Sequence, residues 1–265
     1  MQPLATMPAA ARRAARGVLA DLDDTITTHG VLTPEAYAAL ARLRAAGLLV
    51  IPITGRPAGW CDHIARMWPV DAVVGENGAF YMRYDAPRRK LVKRFVVDAR
   101  ERAANRARLD AIGAKILRAV PGAALASDQL YREGDLAVDF CEDVAPLPRA
   151  DVDRIVAMME AEGMTAKVSS IHVNGWFGSF DKRTTALAML GRRFALAEAD
   201  ILACCAFAGD SPNDAPMFAH FPLSVGVANV RDYIDRIAAP PAFVTPSRGG
   251  AGFVELADRL LALRA

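Results

Sequence analysis

The stretch GVLADLDDT, residues 17–25, joins a short apolar run directly to an acidic one. The apolar run has the length of a buried strand, which predicts that Asp21 lies where that strand ends. Because alternate residues of an extended segment point to the same side, we expect Asp21 and Asp23 to face one ligand. Two such carboxylates can attack phosphorus and transfer a proton. Acidic runs with a threonine are also common in solvated loops, so this stretch alone leaves both interpretations open.

Strand and helix patterns alternate on both sides of a middle section. This alternation predicts an α/β fold with a doubly wound, Rossmann-like parallel-sheet core. Residues 1 to about 14, rich in alanine and arginine, are expected to form a frayed leader without a chemical role. The predicted core elements are strands over 17–20, 48–53, 72–74, 201–207, 223–227 and 242–245, and helices over 33–47, 184–194 and 254–263.

The middle section differs from the flanking sections in its sequence pattern, because it combines charged runs with segments that alternate like half-exposed strands. Its patterns predict an α+β cap domain whose antiparallel sheet has one wet face. We therefore expect a core domain formed by residues 1–83 and 180–265, with the cap domain inserted at 84–179. The predicted cap elements are helices over 98–120 and 150–162, and strands over 136–140, 165–169 and 171–177.

Three further polar clusters accompany the predicted core: TGR at 54–56, Lys182, and GDSPND at 209–214. Ligands of open parallel sheets bind beyond the carboxyl ends of the strands, so all four clusters can converge on one crevice. The hydroxyl and free amides of the TGR cluster suit phosphate oxygens, and Lys182 can neutralise a phosphoryl group. A plain turn and a solvated surface lysine are the alternatives, and Arg56 can equally pair with a surface acid.

The cluster GDSPND carries the sharpest signal, because two carboxylates and an amide crowd the turn after an apolar strand. The four carboxylates of Asp21, Asp23, Asp210 and Asp214 would repel one another in one crevice unless a cation lay among them. Mg²⁺ is the hard, oxygen-seeking ion for such a site and can also bridge to phosphate. The alternative interpretation is an Asx-rich turn that caps a helix.

Taken in chain order, the patterns DxDxT, TGR, Lys and GDSxND resemble the four motifs of the haloacid dehalogenase superfamily of phosphohydrolases. The long insert between the second and third motifs resembles the type IIB, or Cof-like, branch, which includes sugar-phosphate phosphatases. The segments ENGA at 76–79 and VGVA at 225–228 are similar to that branch too. The resemblance thus covers almost the whole chain after residue 16.

The resemblance implies a role for each core side chain. It implies a phosphatase in which Asp21 is the nucleophile, Asp23 is the general acid and base, and Thr54 and Lys182 bind the phosphoryl group. Arg183 departs from the pattern, because many Cof-like members carry glycine after the lysine.

The resemblance also implies a Mg²⁺ cofactor. Its expected ligands are Asp21, the backbone carbonyl of Asp23, and Asp210, with Asp214 supporting the metal or Lys182. The residues expected to contact phosphate or substrate from the core are Thr54, Gly55, Arg56, Asn77, Lys182 and Asn213.

The cap is expected to choose the substrate. On the predicted strand over 171–177, His172 and Asn174 share one face and Trp176 follows, so these side chains can bind hydroxyls or stack on a sugar ring. A satisfied strand histidine and a core tryptophan are an equally supported alternative. Asp139 and Arg132 are weaker cap candidates.

Composition narrows the partners. The formal net charge of +2 gives no support for a nucleic-acid partner, and no segment reaches the roughly 18 uninterrupted apolar residues of a membrane span. The four cysteines show neither metal-site nor disulfide spacing, which favours a reduced, cytoplasmic setting. The expected partner is a small-molecule phosphate monoester, whereas the oligomeric state is not readable from the sequence.

Two other functions stay open. A phosphosugar mutase would use the same motifs, because the acceptor, water or sugar, is not visible in them. A phospho-accepting signalling domain also gathers aspartates, a threonine and a lysine around Mg²⁺. That class is disfavoured, because its phosphorylated aspartate follows a middle strand and it lacks a long insert.

Overall fold

The structure, a computed structural model, describes residues 1–264 and alternates strands with helices along most of the chain. In chain order the strands are β1 (Gln2–Pro3), β2 (Gly17–Ala20), β3 (Leu49–Pro52), β4 (Val73–Gly75), β5 (Phe80–Asp85), β6 (Lys90–Phe95), β7 (Ala124–Leu125), β8 (Asp135–Asp139), β9 (Thr165–Val168), β10 (His172–Trp176), β11 (Cys205–Gly209), β12 (Ser224–Gly226) and β13 (Phe243–Val244). The helices are α1 (Ala9–Ala14), α2 (Pro34–Ala45), α3 (Ala58–Met67), α4 (Ala99–Ala119), α5 (Arg149–Ala161), α6 (Lys182–Phe194), α7 (Glu198–Cys204), α8 (Ala215–His220) and α9 (Gly249–Leu261).

The core is a parallel six-stranded sheet in the order β1-β13-β12-β11-β2-β3. Both β2 and β11 are buried along their whole length, as expected for strands covered on both faces. Val18 packs into the cluster that contains the apolar faces of α2 and α9, whereas its neighbour Leu19 packs into the cluster of α6 and α8. The predicted doubly wound α/β core is therefore confirmed.

Helix α2 shows how local sequence sets this packing. The Thr33 hydroxyl accepts a hydrogen bond from the backbone N–H of Ala36 at 3.3 Å, and Pro34 occupies the first helical position. Leu40 and Leu43 then fall on one face and are fully buried against the sheet and α9. This helix covers the face of the sheet beside β2 and so helps to fix the strand that ends at the acidic stretch.

The cap has an antiparallel four-stranded sheet in the order β7-β8-β10-β9. Helices α4 and α5 pack on one face through a separate apolar cluster that includes Ile116, Ile155, Val138 and Val173. The prediction of a wet second face is wrong, because every residue of β8 and β10 is buried. The physical reason is that the cap lies on the core, so the polar face of its sheet is covered by the core instead of water.

A hairpin of β5 and β6 was not predicted as a pair of strands. It adds to β4 in a three-stranded antiparallel sheet, and a parallel bridge between Ile53 and Val74 connects β4 to the end of β3. The boundary expected between residues 83 and 84 falls inside β5.

Two predicted elements differ from the structure. Residues 201–204 belong to α7, and the strand begins only at Cys205. The residues are apolar on both sides of this boundary, so the sequence carries no marker of the change. The expectation of a frayed N-terminus is also wrong: β1 pairs with β13, and Leu4 and Met7 are 4% and 1% exposed. Within residues 1–264, no helix combines the length and the apolarity that crossing a membrane requires.

Candidate active site

The predicted core clusters meet at the carboxyl edge of the six-stranded sheet. Asp21 follows β2, Asp210 follows β11, and Thr54 follows β3 after one residue. Lys182 is the first residue of α6, where the chain returns from the cap. All four side chains are buried, with residue exposures of 4% or less. The sequence prediction that these clusters converge on one crevice agrees with this geometry.

Lys182 lies between two carboxylates. Its Nζ donates to Asp21 Oδ1 at 2.7 Å and to Asp214 Oδ1 at 2.8 Å. Asp181 caps α6 by accepting from the backbone N–H of Thr184, which fixes the helix turn that begins with Lys182. Burial opposes the charge of Lys182, but the two carboxylates raise its pKa above the usual value. The lysine is therefore a buried, fully charged ammonium beside Asp21.

Three aspartates form a buried anionic cluster. Asp21, Asp210 and Asp214 each offer a carboxylate oxygen, and the three oxygens lie within 4.8 Å of one another. Burial raises the pKa of Asp21 to about 7, and it raises the pKa of Asp210 well above the usual value, with the neighbouring aspartates adding to both effects. The single ammonium of Lys182 does not balance this charge. Hard carboxylate oxygens with uncompensated negative charge are the donor set that fits Mg²⁺.

Hydrogen bonds hold each member of this cluster in place. The hydroxyl of Thr25 and the amide of Asn229 donate to the two carboxylate oxygens of Asp210 at 3.2 and 3.0 Å. The second oxygen of Asp214 accepts from the backbone N–H groups of Asp210 and Ser211 at 3.0 and 3.3 Å. Asp214 is thus bound to Lys182 and to the turn, and each carboxylate oxygen of Asp210 also accepts a hydrogen bond.

The TGR cluster and the ENGA segment form a second wall. Thr54 accepts from the backbone N–H of Arg56 through its hydroxyl at 2.9 Å, and its carbonyl accepts from the N–H of Asn77 at 3.0 Å. Asn77 has a φ of 53° in the left-handed region, and its buried Oδ1 finds no partner among the described residues. A Cβ on Gly55 would lie 3.1 Å from the Asn77 side chain, so glycine allows these two loops to meet.

Arg56 lies in ion pairs with both domains. Its Nε donates to the two carboxylate oxygens of Asp23 at 3.0 and 3.1 Å. Its terminal nitrogens donate to Glu142 of the cap at 2.6 and 3.3 Å, and one of them lies 3.5 Å from Asp128. The sequence predicted Arg56 as a substrate contact or as the partner of a surface acid, whereas the structure shows a buried guanidinium with three acidic partners.

Two cap candidates project toward the core. The amide of Asn174 donates to Asp135 at 3.0 Å, and His172 Nε2 lies 2.9 Å from a carboxylate oxygen of Glu142. Together with Asp21, Asp23 and further residues of both domains, they line a small cavity of about 10 Å³. A neighbouring cavity of about 220 Å³ reaches Lys182 and Asn77 from another side.

The other cap candidates have structural contacts. Asp139 accepts backbone hydrogen bonds from residues 141–143 at 2.8–2.9 Å and so shapes a turn. Arg132 is bound to Asp128 and Asp135, and it donates to the carbonyl of Gly55 at 2.9 Å. Trp176 is 1% exposed and stacks on Phe180 with ring centroids 5.7 Å apart. This agrees with the interpretation of a core tryptophan.

The remaining predicted contact, Asn213, lines the small cavity, and its side-chain oxygen accepts from Ser211 at 2.7 Å. Two residues of the site were missed by the sequence prediction. Asn229 follows the strand over 224–226, and Glu142 follows the strand over 135–139. Asn229 lies three residues beyond a strand of the parallel sheet, at the edge where Asp21 and Asp210 also lie. Glu142 follows a strand of the antiparallel cap sheet, where this rule gives no signal.

The sequence matches no protein-family model and no curated protein. Solved structures match over most of the chain. The C-terminal domain of trehalose-6-phosphate phosphatase from C. albicans is 12% identical with a TM-score of 0.70, covering 95% of this chain and 94% of that one. A haloacid dehalogenase-like hydrolase from Bacteroides thetaiotaomicron is 12% identical with a TM-score of 0.64, covering 93% and 99%. The sucrose-phosphatase from Synechocystis sp. is 15% identical with a TM-score of 0.60, covering 93% and 98%.

These identities are low, so the likeness concerns the fold. The chain has the fold of the haloacid dehalogenase-like hydrolases, and the match extends over both core and cap. The resemblance drawn from the four motifs is thus confirmed at the level of the fold.

Proposed function

We propose that the protein is a Mg²⁺-dependent phosphatase that hydrolyses a small phosphate monoester, a sugar phosphate, through an aspartyl-phosphate on Asp21. The observation that carries this proposal is the buried arrangement of Asp21, Lys182 and Asp214 at the edge of the sheet, with Asp23 two residues beyond Asp21. A carboxylate in such a position can attack phosphorus, because the lysine both orients it and offsets the charge of the phosphoryl group.

Each side chain has a defined part in the reaction. A carboxylate oxygen of Asp21 forms a bond to phosphorus while the bond from phosphorus to the leaving oxygen breaks. Asp23 gives its proton to that leaving oxygen and then takes one from the water that cleaves the aspartyl-phosphate. The hydroxyl of Thr54 and the ammonium of Lys182 bind the phosphoryl oxygens.

Asp21, Asp210 and the backbone carbonyl of Asp23 would hold Mg²⁺, and Asp214 would support them through Lys182. When bound, the ion offsets the charge of the carboxylates and of the phosphoryl group. The donor set supports this assignment, because three buried carboxylates face a single lysine.

The cap supports a small substrate. It covers the edge of the sheet with polar side chains, among them His172 and Asn174, which suit the hydroxyls of a sugar. Two structures with the same fold are named as phosphatases of trehalose 6-phosphate and of sucrose phosphate, the latter solved with sucrose and phosphate. Their names favour a sugar phosphate among the phosphate monoesters.

The test is phosphate release from a panel of sugar and polyol phosphates, with Mg²⁺ and with EDTA. We expect metal-dependent turnover that disappears in Asp21→Asn, because the variant has no nucleophile. Asp153→Asn, the same change at an exposed residue of the cap helix α5, is the control and should match the wild type. Wild-type turnover in Asp21→Asn would contradict the proposal. Release of phosphate only in the presence of a sugar bisphosphate would favour a mutase instead.

A further inference from the structure

A chain of three ionic side chains connects the cap to the acidic stretch that follows β2. It begins at the turn after β8, where Asp139 accepts three backbone N–H groups and so fixes the segment that carries Glu142. Glu142 accepts from Arg56 at 2.6 Å, and Arg56 donates to both oxygens of Asp23. We refer to the three side chains of Glu142, Arg56 and Asp23 as the ionic relay.

Two further side chains contact the ionic relay, Trp60 at Arg56 and His172 at Glu142. The Arg56 guanidinium lies 4.5 Å from the ring centroid of Trp60, and its side chain is 6% exposed. The side chain of Glu142 is 26% exposed, and one of its carboxylate oxygens lies 2.9 Å from His172 Nε2. Burial opposes its charge, but His172 and Arg56 lower the pKa of Glu142 to about 2, so it is an anion at neutral pH. Arg56 has two acidic partners on the cap. Its guanidinium lies 2.6 Å from a carboxylate oxygen of Glu142 and 3.5 Å from one of Asp128.

The cavity that Asp21 and Asp23 line is small. Its volume of about 10 Å³ leaves room for about one water molecule. The larger neighbouring cavity of about 220 Å³ reaches Lys182, and Asn213 lines both cavities. Glu142 belongs to the cap and Arg56 to the core, so their hydrogen bonds join the two parts of the chain directly.

We propose that Glu142 is a positioning residue for Asp23: by binding Arg56 from the cap, it fixes the guanidinium that orients the carboxyl group of Asp23. This inference rests on the proposed function. In the step concerned, an Asp21 oxygen bonds to phosphorus, and the bond from phosphorus to the ester oxygen breaks with its electron pair on that oxygen. The O–H bond of Asp23 breaks, and its proton goes to the same ester oxygen. Glu142 itself touches none of the reacting atoms.

Two substrates with different leaving groups distinguish a positioning role of Glu142 from a purely structural role. A sugar alkoxide is a poor leaving group and needs the proton of Asp23, whereas p-nitrophenolate departs without it. The kcat/KM value reports the steps up to the departure of the leaving group. In Glu142→Gln we expect kcat/KM for the sugar phosphate to fall about tenfold or more, as for partial loss of acid catalysis. We expect kcat/KM for p-nitrophenyl phosphate to change by less than about threefold.

Two further variants complete the test. Asp143→Asn removes a charge from the next residue of the same turn and should leave both values unchanged, because its side chain is exposed and outside the relay. Arg56→Lys should show the same dependence on the leaving group as Glu142→Gln. The double variant should fall no further than Arg56→Lys alone, because both changes interrupt one relay.

Equal losses for the two substrates in Glu142→Gln would overturn the inference, since a loss of folding or of cap closure affects both. Unchanged kinetics, or additive losses in the double variant, would overturn it too. A wild-type protein that releases phosphate from neither substrate would instead overturn the proposed function, and this inference would fall with it.

Discussion

We expect the buried carboxyl groups next to Lys182 to make the stability of the protein depend on pH and, through the proposed metal site, on Mg²⁺. Burial raises the pKa of Asp21 from its ordinary 3.8 to about 7, and the pKa of Asp210 is also raised. A carboxyl whose pKa is higher in the folded state stabilises the fold when it is protonated. The metal-free protein should therefore lose stability as pH rises from the ordinary pKa towards about 7.

Protons and Mg²⁺ compete for the same oxygens. We therefore expect the rise in melting temperature caused by Mg²⁺ to be larger at about pH 7.5 than at about pH 5. The measurement is thermal unfolding at both pH values over a series of Mg²⁺ concentrations. Asp210→Asn should remove the rise, and Asp153→Asn should keep it. An equal rise at both pH values would be evidence against a metal site at these carboxylates.

The residues next to strand ends could be predicted from sequence because each lies in a short run of polar residues after an apolar one. Asp21 and Asp210 are of this kind. The partners of Arg56 could not, because Glu142 and Asp128 lie 86 and 72 residues away from it in the chain. Only the packing of the cap on the core brings them together. The sequence therefore indicates the side chains that are proposed to react but not the ion pairs that hold them.

At the scale of elements, the start of α6 depends on the turn formed by Glu76–Gly78. Thr185 donates to the carbonyl of Gly78 at 2.7 Å. Gly78 has a φ of 111°, and a Cβ there would lie 2.2 Å from the carbonyl oxygen of Asp181 and 3.1 Å from the N–H nitrogen of Lys182. A side chain at this position would push the first turn of α6, and with it Lys182, away from Asp21.

We expect Gly78→Ala to lower both the free energy of unfolding and the rate of phosphate release. Gly47→Ala is the matched control, because its φ of 79° imposes the same kind of backbone strain while nothing lies within 4 Å of its Cβ. The control should cost about 1–3 kcal/mol with unchanged kcat. Gly78→Ala should cost about 2 kcal/mol more, as the contact with α6 adds to the strain. Urea unfolding and kcat at saturating substrate check both, and equal effects would contradict this view of the turn.

The differences between the predicted and the observed elements have physical causes. The run over 201–207 consists of apolar residues in both α7 and β11, so its hydrophobicity does not mark the boundary at Cys205. The strands β8 and β10 alternate in polarity as half-exposed strands do, but the polar side faces the core. Periodicity reports polarity, and it does not say whether a polar face meets water or another domain.

At the scale of the molecule, the cap and the core depend on each other for the site. Glu76 of the core accepts backbone hydrogen bonds from Glu133 and Gly134 of the cap at 2.9 and 2.6 Å, and Arg132 of the cap donates to the carbonyl of Gly55. These contacts, with the pair of Arg56 and Glu142, cover the carboxyl edge of the sheet. A covered edge limits contact with solvent, which strengthens the interaction between Asp21 and the ammonium of Lys182.

The N-terminal residues belong to this whole as well. Because β1 adds to the parallel sheet at β13 and Met7 is buried in the core cluster, the first residues complete one side of the core. Their alanine- and arginine-rich composition concealed this, since only Leu4 and Met7 carry large buried side chains there.

The proposed mechanism places a covalent aspartyl-phosphate on Asp21. Chemical trapping detects this intermediate. The protein would be mixed with Mg²⁺ and its best sugar phosphate, quenched in acid and reduced with borohydride, which converts an aspartyl-phosphate into homoserine. Mass spectrometry of the peptide that contains residues 17–25 then locates the change. We expect homoserine at position 21 in the wild type and none in Asp21→Asn. Turnover in the wild type with the modification at another aspartate, or at none, would contradict this mechanism.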